Sequence, residues 1–292
     1  MLKEVVKLSK SVRNSIATII IIIILGIVGG AWYQHKKSSK FVQSTTPTLF
    51  FHGGGSSYHA EEHMVNAAKK AGVTKTVLRA NVAKDGHVTL HGTMHKNSIN
   101  PIVEVNYQDN RQLDFNKHGV WATNVVKALQ KQYGIKNINM VGHSLGNTSI
   151  IYYLLQNAQN KSMPKLRKQV DMAGHFDGLD FAQFPAEIRQ PQNLKLDRNG
   201  KPNHMNATYR QMTKLRSIYP KNQIRVLNII GNIGGKTDGT VTNVSSLSLK
   251  YLVAARAKSY EVKTFHGKLA RHSKLHSNPA VDKVLIQFLW GK

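Results

Sequence analysis

The sequence predicts an α/β fold for residues 47–292, a mostly parallel central sheet with helices packed on both faces. Three observations carry that prediction. Short apolar runs alternate with stretches of helical periodicity along the whole segment, the pattern of repeated β-α-β units. Two of the runs end in glycine-rich turns, "FFHGGGSS" and "MVGHSLGN", before a helical stretch. At 292 residues and 41% hydrophobic composition, the chain can bury the core of one large domain.

Residues 1–46 are of a different kind. Residues 1–14 are basic, with Lys3, Lys7, Lys10 and Arg13. Residues 15–32, "SIATIIIIIILGIVGGAW", carry no charge, and as a helix rising 1.5 Å per residue they span about 27 Å, enough for a hydrocarbon core. Lys36, Lys37 and Lys40 follow, so charge asymmetry is weak. A basic stretch before a single apolar segment then reads as an uncleaved, single-pass signal anchor in the cell membrane, with the following domain outside the cell. The competing reading is a signal peptide cut after Ala31. Residues 33–46 read as a polar linker.

Within the domain, "PTLFF" is the first strand and "YHAEEHMVNAAKKAG" a helix stopped by Gly72. "TKTVLRANV" and "NPIVEVNY" read as strands, with a small hairpin, "DGHVTLHGTM", between them. "HGVWATNVVKALQKQYG" sets Val120, Asn124, Val125, Ala128 and Leu129 at helical spacing and leads into a strand over 138–141. The strands "LRKQVDMAG" and "IRVLNIIG" flank residues 176–222, which are rich in Pro, Gln, Asn and basic residues and weakly periodic. That segment reads as an insertion over the site, a lid. A helix "VSSLSLKYLVAAR", a strand "SYEVKTFHG" and a helix "PAVDKVLIQFLW" close the chain.

Charge narrows the partners. Forty-one Lys and Arg against 15 Asp and Glu give a formal net charge of +26, which suits an anionic neighbourhood. The basic residues are scattered and no nucleic-acid-binding signature accompanies them, so anionic envelope polymers or lipid are expected rather than nucleic acid. Without cysteine there is neither a disulfide framework nor a lipoprotein acylation site.

The chemistry is read from "VGHSLGN". A sharp strand-to-helix turn crowds the backbone two residues either side of its apex, where Gly142 and Gly146 stand, and it lifts the apical Ser144 hydroxyl clear of the sheet. Serine needs a histidine base, and the histidine an acid that fixes its tautomer. In hydrolases with this elbow the chain order is Ser, acid, His. Asp238, in the loop after "IRVLNIIG", is the expected acid, with Asp177 and Asp180 as competitors. His276 is the expected base for its place just before the last helix, with His272 and His266 as competitors. An oxyanion needs two backbone N–H donors, expected from Leu145 and from Gly54, with Gly53 or Gly55 as alternatives. Two other patterns are set aside. "HAEEH" at 59–63 has metalloprotease-like spacing but no third ligand, and Gly231 and Gly235 enclose one residue too few for a phosphate-binding loop. Neither a metal nor a cofactor is called for.

With "FFHGGG", "VGHSLGN", "TDGTVTNVSSLSLKYL" and "HSKLHSNPAVDKVLIQFLWGK", nearly everything after the anchor resembles the membrane-anchored cell-surface alpha/beta-hydrolases of Gram-positive bacteria. The resemblance implies that fold, with Ser144 as nucleophile, Asp238 as acid and His276 as base. The third glycine of "HGGG" departs from the usual pattern of such proteins. The expected activity is cleavage of a small or lipid-like carboxylic ester, or an amide or thioester, through an acyl-serine. The same fold would serve an acyltransferase, and a basic surface protein that binds anionic polymers without catalysis is the reading from a different class.

Overall fold

The computed structural model describes residues 10–38 and 40–292; residues 1–9, with Lys3 and Lys7, lie outside them. Helix α1 (Lys10–Ser38) contains the apolar segment. Its stretch Lys10–Tyr33 has a mean hydropathy of 2.4 and is long and apolar enough to cross a membrane. Its large side chains are bare, Ile22 at 63% and Leu25 at 65% exposure.

Eight strands form one sheet: β1 (Thr48–Phe51), β2 (Val77–Val82), β3 (Val88–His91), β4 (Ile102–Tyr107), β5 (Asn137–His143), β6 (Lys165–Met172), β7 (Arg225–Asn232) and β8 (Ser259–His266). Their order is β3-β2-β4-β1-β5-β6-β7-β8, and every pair is parallel except β2 with β3. The expected small hairpin is thus corrected. "DGHVTLHGTM" supplies a single strand, β3, and the hairpin is β2–β3, closed where Ala83 N donates to His87 O at 2.9 Å.

Alternate residues of each strand face opposite sides, and each side has its own apolar layer. Leu49 and Phe51 join Val103, Val105, Ile138 and Met140 beneath helices α3 (Phe115–Tyr133) and α4 (Gly146–Asn157). Phe50 joins Ile102, Val141, Val170 and Leu227 on the other side. Met64 and Val65 of α2 (Glu62–Ala71) and the apolar stripe of the last helix, Val281, Leu285 and Leu289, cover that layer.

The insertion between β6 and β7 is a packed cover rather than an open loop. It holds α5 (Ala207–Met212) and α6 (Leu215–Ile218), with Tyr209, Met212, Leu215 and Tyr219 buried. The single helix expected after β7 is broken into α7 (Asn243–Leu247) and α8 (Leu249–Val253), where the Ser248 hydroxyl turns back onto the Ser245 carbonyl at 2.7 Å. After β8 come a short helix absent from the sequence reading, α9 (His272–Leu275), and the terminal α10 (Pro279–Trp290). The start of the domain also moves. Phe41 is buried against this core, Val42 N donates to Trp290 O at 2.8 Å, and the Ser44 carbonyl accepts from Asn100 N at 2.6 Å, so residues 41–46 belong to the domain and not to the linker.

Candidate active site

The carboxyl ends of β1, β5, β7 and β8 deliver the expected residues to one rim of the sheet, where open parallel sheets hold their sites. Ser144 follows β5 directly, with φ of 52°, a left-handed backbone rare for a residue with a side chain. The fold pins it there. Ser144 N donates to Met172 O at 2.9 Å, and the buried Asn147 amide donates to the carbonyls of Ser144 at 2.8 Å and Met172 at 3.0 Å. The flanking glycines answer close approach. A Cβ on Gly146 would stand 2.1 Å from Phe51 O, and one on Gly142 would stand 2.8 Å from Asn147 N.

The partner of Ser144 is His272. Its Nε2 lies 2.8 Å from Ser144 Oγ and its Nδ1 lies 2.8 Å from Asp238 Oδ2. A carboxylate can only accept, so Nδ1 carries the proton and Nε2 presents its lone pair to the serine hydroxyl. Asp238 is buried, and its other oxygen accepts from Thr240 N at 2.9 Å and Val241 N at 2.7 Å. Its carbonyl also accepts from His272 N at 3.0 Å, so one loop holds both the base's ring and its backbone.

The expectation for His276 is corrected. His276 caps the C-terminus of α9, which begins at His272, so the two stand one helical turn and about 6 Å apart along the axis. Only His272 reaches the serine. The His276 ring packs edge-on against His143 with centroids 4.8 Å apart, its Nδ1 is buried without a partner, and burial lowers its pKa. The competitors fall elsewhere. His266 is an exposed residue at the end of β8 and Asp180 is exposed. Asp177 accepts from Asn206 N at 3.0 Å inside the insertion, where burial lifts its pKa to about 6.

His143 was missed by sequence reasoning, because only the fold shows what a residue beside the elbow faces. Its Nε2 donates to His272 O at 3.1 Å, since a carbonyl can only accept, and burial, then the neighbouring His272, holds its pKa well below the usual histidine value. An uncharged ring therefore braces the base from behind. In the glycine loop, His52 Nδ1 donates to Gly53 O at 2.9 Å, while Nε2 accepts from Tyr107 N at 3.1 Å. Gly54, Gly55 and Leu145 all line the cleft, but Gly55 N is committed to Asn110 O at 2.8 Å.

That cleft, of about 420 Å³, opens over Ser144 and His272. Leu113, Phe115 and Leu145 form one wall, and Leu179, Phe181, Phe184 and Ile188 of the insertion form the other. The metalloprotease-like pattern is dispersed. His59 pairs with Glu62 at 3.0 Å and His63 with Asp282 at 2.9 Å, and no metal-binding group of acidic, histidine or cysteine residues occurs among the described residues.

A mostly parallel sheet with a serine on the turn after its fifth strand, and acid and histidine on later loops, defines an alpha/beta-hydrolase architecture. The chain belongs to the family described as alpha/beta hydrolase of unknown function (DUF915), whose profile matches residues 35–292. Among solved structures, the product of gene lin2722 from Listeria innocua is 23% identical, with a TM-score of 0.73 over 84% of this chain and 94% of that one. A protein of Lactobacillus plantarum WCFS1 described as a "putative cell surface hydrolase" is 20% identical, with a TM-score of 0.66 over 84% of this chain and 91% of that one. At these identities the likeness is one of fold. A search of curated proteins finds no match.

Proposed function

We propose that the protein is a serine hydrolase that cleaves a carboxylic ester through an acyl-Ser144 intermediate, on the outer face of a membrane in which α1 is the anchor. The observation that carries the reading is the unbroken hydrogen-bonded line from Ser144 through His272 to Asp238, at 2.8 Å for each link. His272 Nε2 takes the Ser144 proton as Oγ attacks the ester carbonyl, and Asp238 stabilises the imidazolium that forms. The oxyanion is received by the amides of Leu145 and Gly54. His272 then delivers its proton to the leaving alcohol, and water, deprotonated by the same ring, releases the acid and restores Ser144.

The test is steady-state hydrolysis of 4-nitrophenyl butyrate by residues 40–292. Ser144→Ala is expected to fall by at least about 10³-fold in kcat. Wild-type turnover surviving in that variant would overturn the reading. For the anchor, protease added to intact cells should degrade the hydrolase domain while a cytoplasmic marker survives. Full protection of a domain that the same protease cleaves once the cells are lysed would reverse the topology.

A further inference from the structure

We propose that the alcohol part of the ester carries an anionic group, phosphate or carboxylate, and that Arg111 receives it; this rests on the serine-ester reading above. The glycine loop forms a ladder across the cleft. A Cβ on Gly53 would lie 3.2 Å from Ser144 Cβ, one on Gly54 3.2 Å from Leu145 Cδ2, and one on Gly55 3.2 Å from Arg111 Cζ and Nη2. Arg111, Ser144 and His272 line the same cleft, so the guanidinium shares it with the nucleophile. Asn110 anchors the stretch of backbone that carries it. That residue accepts from Gly55 N at 2.8 Å and donates its side-chain amide to Ser56 O at 2.6 Å, and Arg111 follows it in the chain.

The guanidinium is uncommitted. None of the ion pairs among the described residues includes Arg111. The nearby carboxylates have other partners, Asp109 accepting from the Gln112 side chain at 2.9 Å and Asp114 capping Asn116 N at 3.0 Å. The opposite wall, Leu179, Phe181, Phe184 and Ile188, is apolar. An anion placed there would be desolvated without a partner, so that wall takes the acyl chain and the anion belongs to the alcohol. A guanidinium matches two oxygens of a phosphate or carboxylate, and the net charge of +26 raises the local concentration of anionic substrate. In the reaction, the acyl group passes to Ser144 Oγ, the anionic alcohol leaves with the proton from His272, and water completes hydrolysis.

The test compares kcat/KM for 1,2-dibutyrylglycerol 3-phosphate, 2,3-dibutyrylglycerate and neutral tributyrin. At least one anionic ester should exceed tributyrin tenfold or more, and the better one identifies the group. That ratio should fall at least tenfold in Arg111→Gln but persist in Lys131→Gln, which removes the same charge from the exposed side of α3. The proposal is overturned if neither anionic ester is preferred, if the preference survives Arg111→Gln, or if Lys131→Gln abolishes it equally. Calorimetry separates recognition from catalysis. Ser144→Ala should bind the preferred anionic ester more tightly than tributyrin, and adding Arg111→Gln should remove the difference. Arg111-dependent binding without turnover by wild type would sink the hydrolase reading and keep the anion site, whereas turnover without preference would sink the anion site alone.

Discussion

Ser144, His272 and His276 differ in what each can touch. His272→Ala should lose kcat about as severely as Ser144→Ala, because residues that act as a unit fail together. Asp238→Asn should lose up to about 10⁴-fold, since an amide favours the wrong tautomer of His272. His276→Ala should stay within about tenfold of wild type, a barrier change of about 1.4 kcal/mol, because its ring faces His143 and not the cleft. Steady-state ester hydrolysis, with circular dichroism to confirm folding, measures all three; activity retained in His272→Ala would contradict the geometry. Ser144 and Asp238 were legible because the glycines around the elbow and the order along the chain mark them. The choice between two histidines four residues apart was not. It turns on a helix of one turn, "HSKL", too short to leave a periodic signal.

At the scale of elements, α4 and its first turn hold the strained apex. Asn147→Ala removes two side-chain hydrogen bonds to the carbonyls of Ser144 and Met172. It should cost about 1–3 kcal/mol of stability and also lower kcat, as the backbone of Ser144 relaxes from its left-handed conformation. Denaturant unfolding and ester turnover on the same preparation check this, and a variant as stable as wild type would show that the elbow is held by other contacts. Seven of the eight strands were legible as strand-like runs with turns between them, and β3 was read as part of a small hairpin of its own. The pairing of β3 with β2 was not legible, because a four-residue strand, "VTLH", carries no mark of its neighbour. Nor was the break between α7 and α8, since serines that read as neutral in a helix are spent there on backbone carbonyls, Ser246 on Gly174 at 2.7 Å and Ser248 on Ser245.

Over the whole molecule, buried ionisable groups set the dependence of stability on pH. Burial, and then the charge of Glu104, lifts Glu61 to about 8, and burial lifts Asp171 to about 8. Both bind their proton more tightly folded than unfolded, so their contribution is fully present below about pH 4 and is lost as pH rises toward 8. His118 and His175, pushed down to about 4 by burial, act in the opposite sense, losing stability as pH falls from 6.5 to 4. The two trends compete below 6.5, and the carboxyl trend stands alone between 6.5 and 8. Denaturant midpoints should therefore fall between pH 6.5 and 8.5, with a shallower fall in Glu61→Gln and Asp171→Asn. A rise over that interval would show that these acids are ionised in the native core. The charge of +26 was legible from composition, but the one arginine that faces the cleft was not, because its place depends on the Asn110 turn folding over the glycine loop.

The central claim, a serine activated by His272, is tested most directly by a fluorophosphonate, which reacts with an activated serine and needs no knowledge of the natural substrate. Intact-protein mass spectrometry with peptide mapping should find a single adduct on Ser144 in wild type and in His276→Ala, a greatly slowed adduct in His272→Ala, and none in Ser144→Ala. A folded wild-type protein that stays unlabelled, or that labels equally when Ser144 or His272 is replaced, would contradict the account.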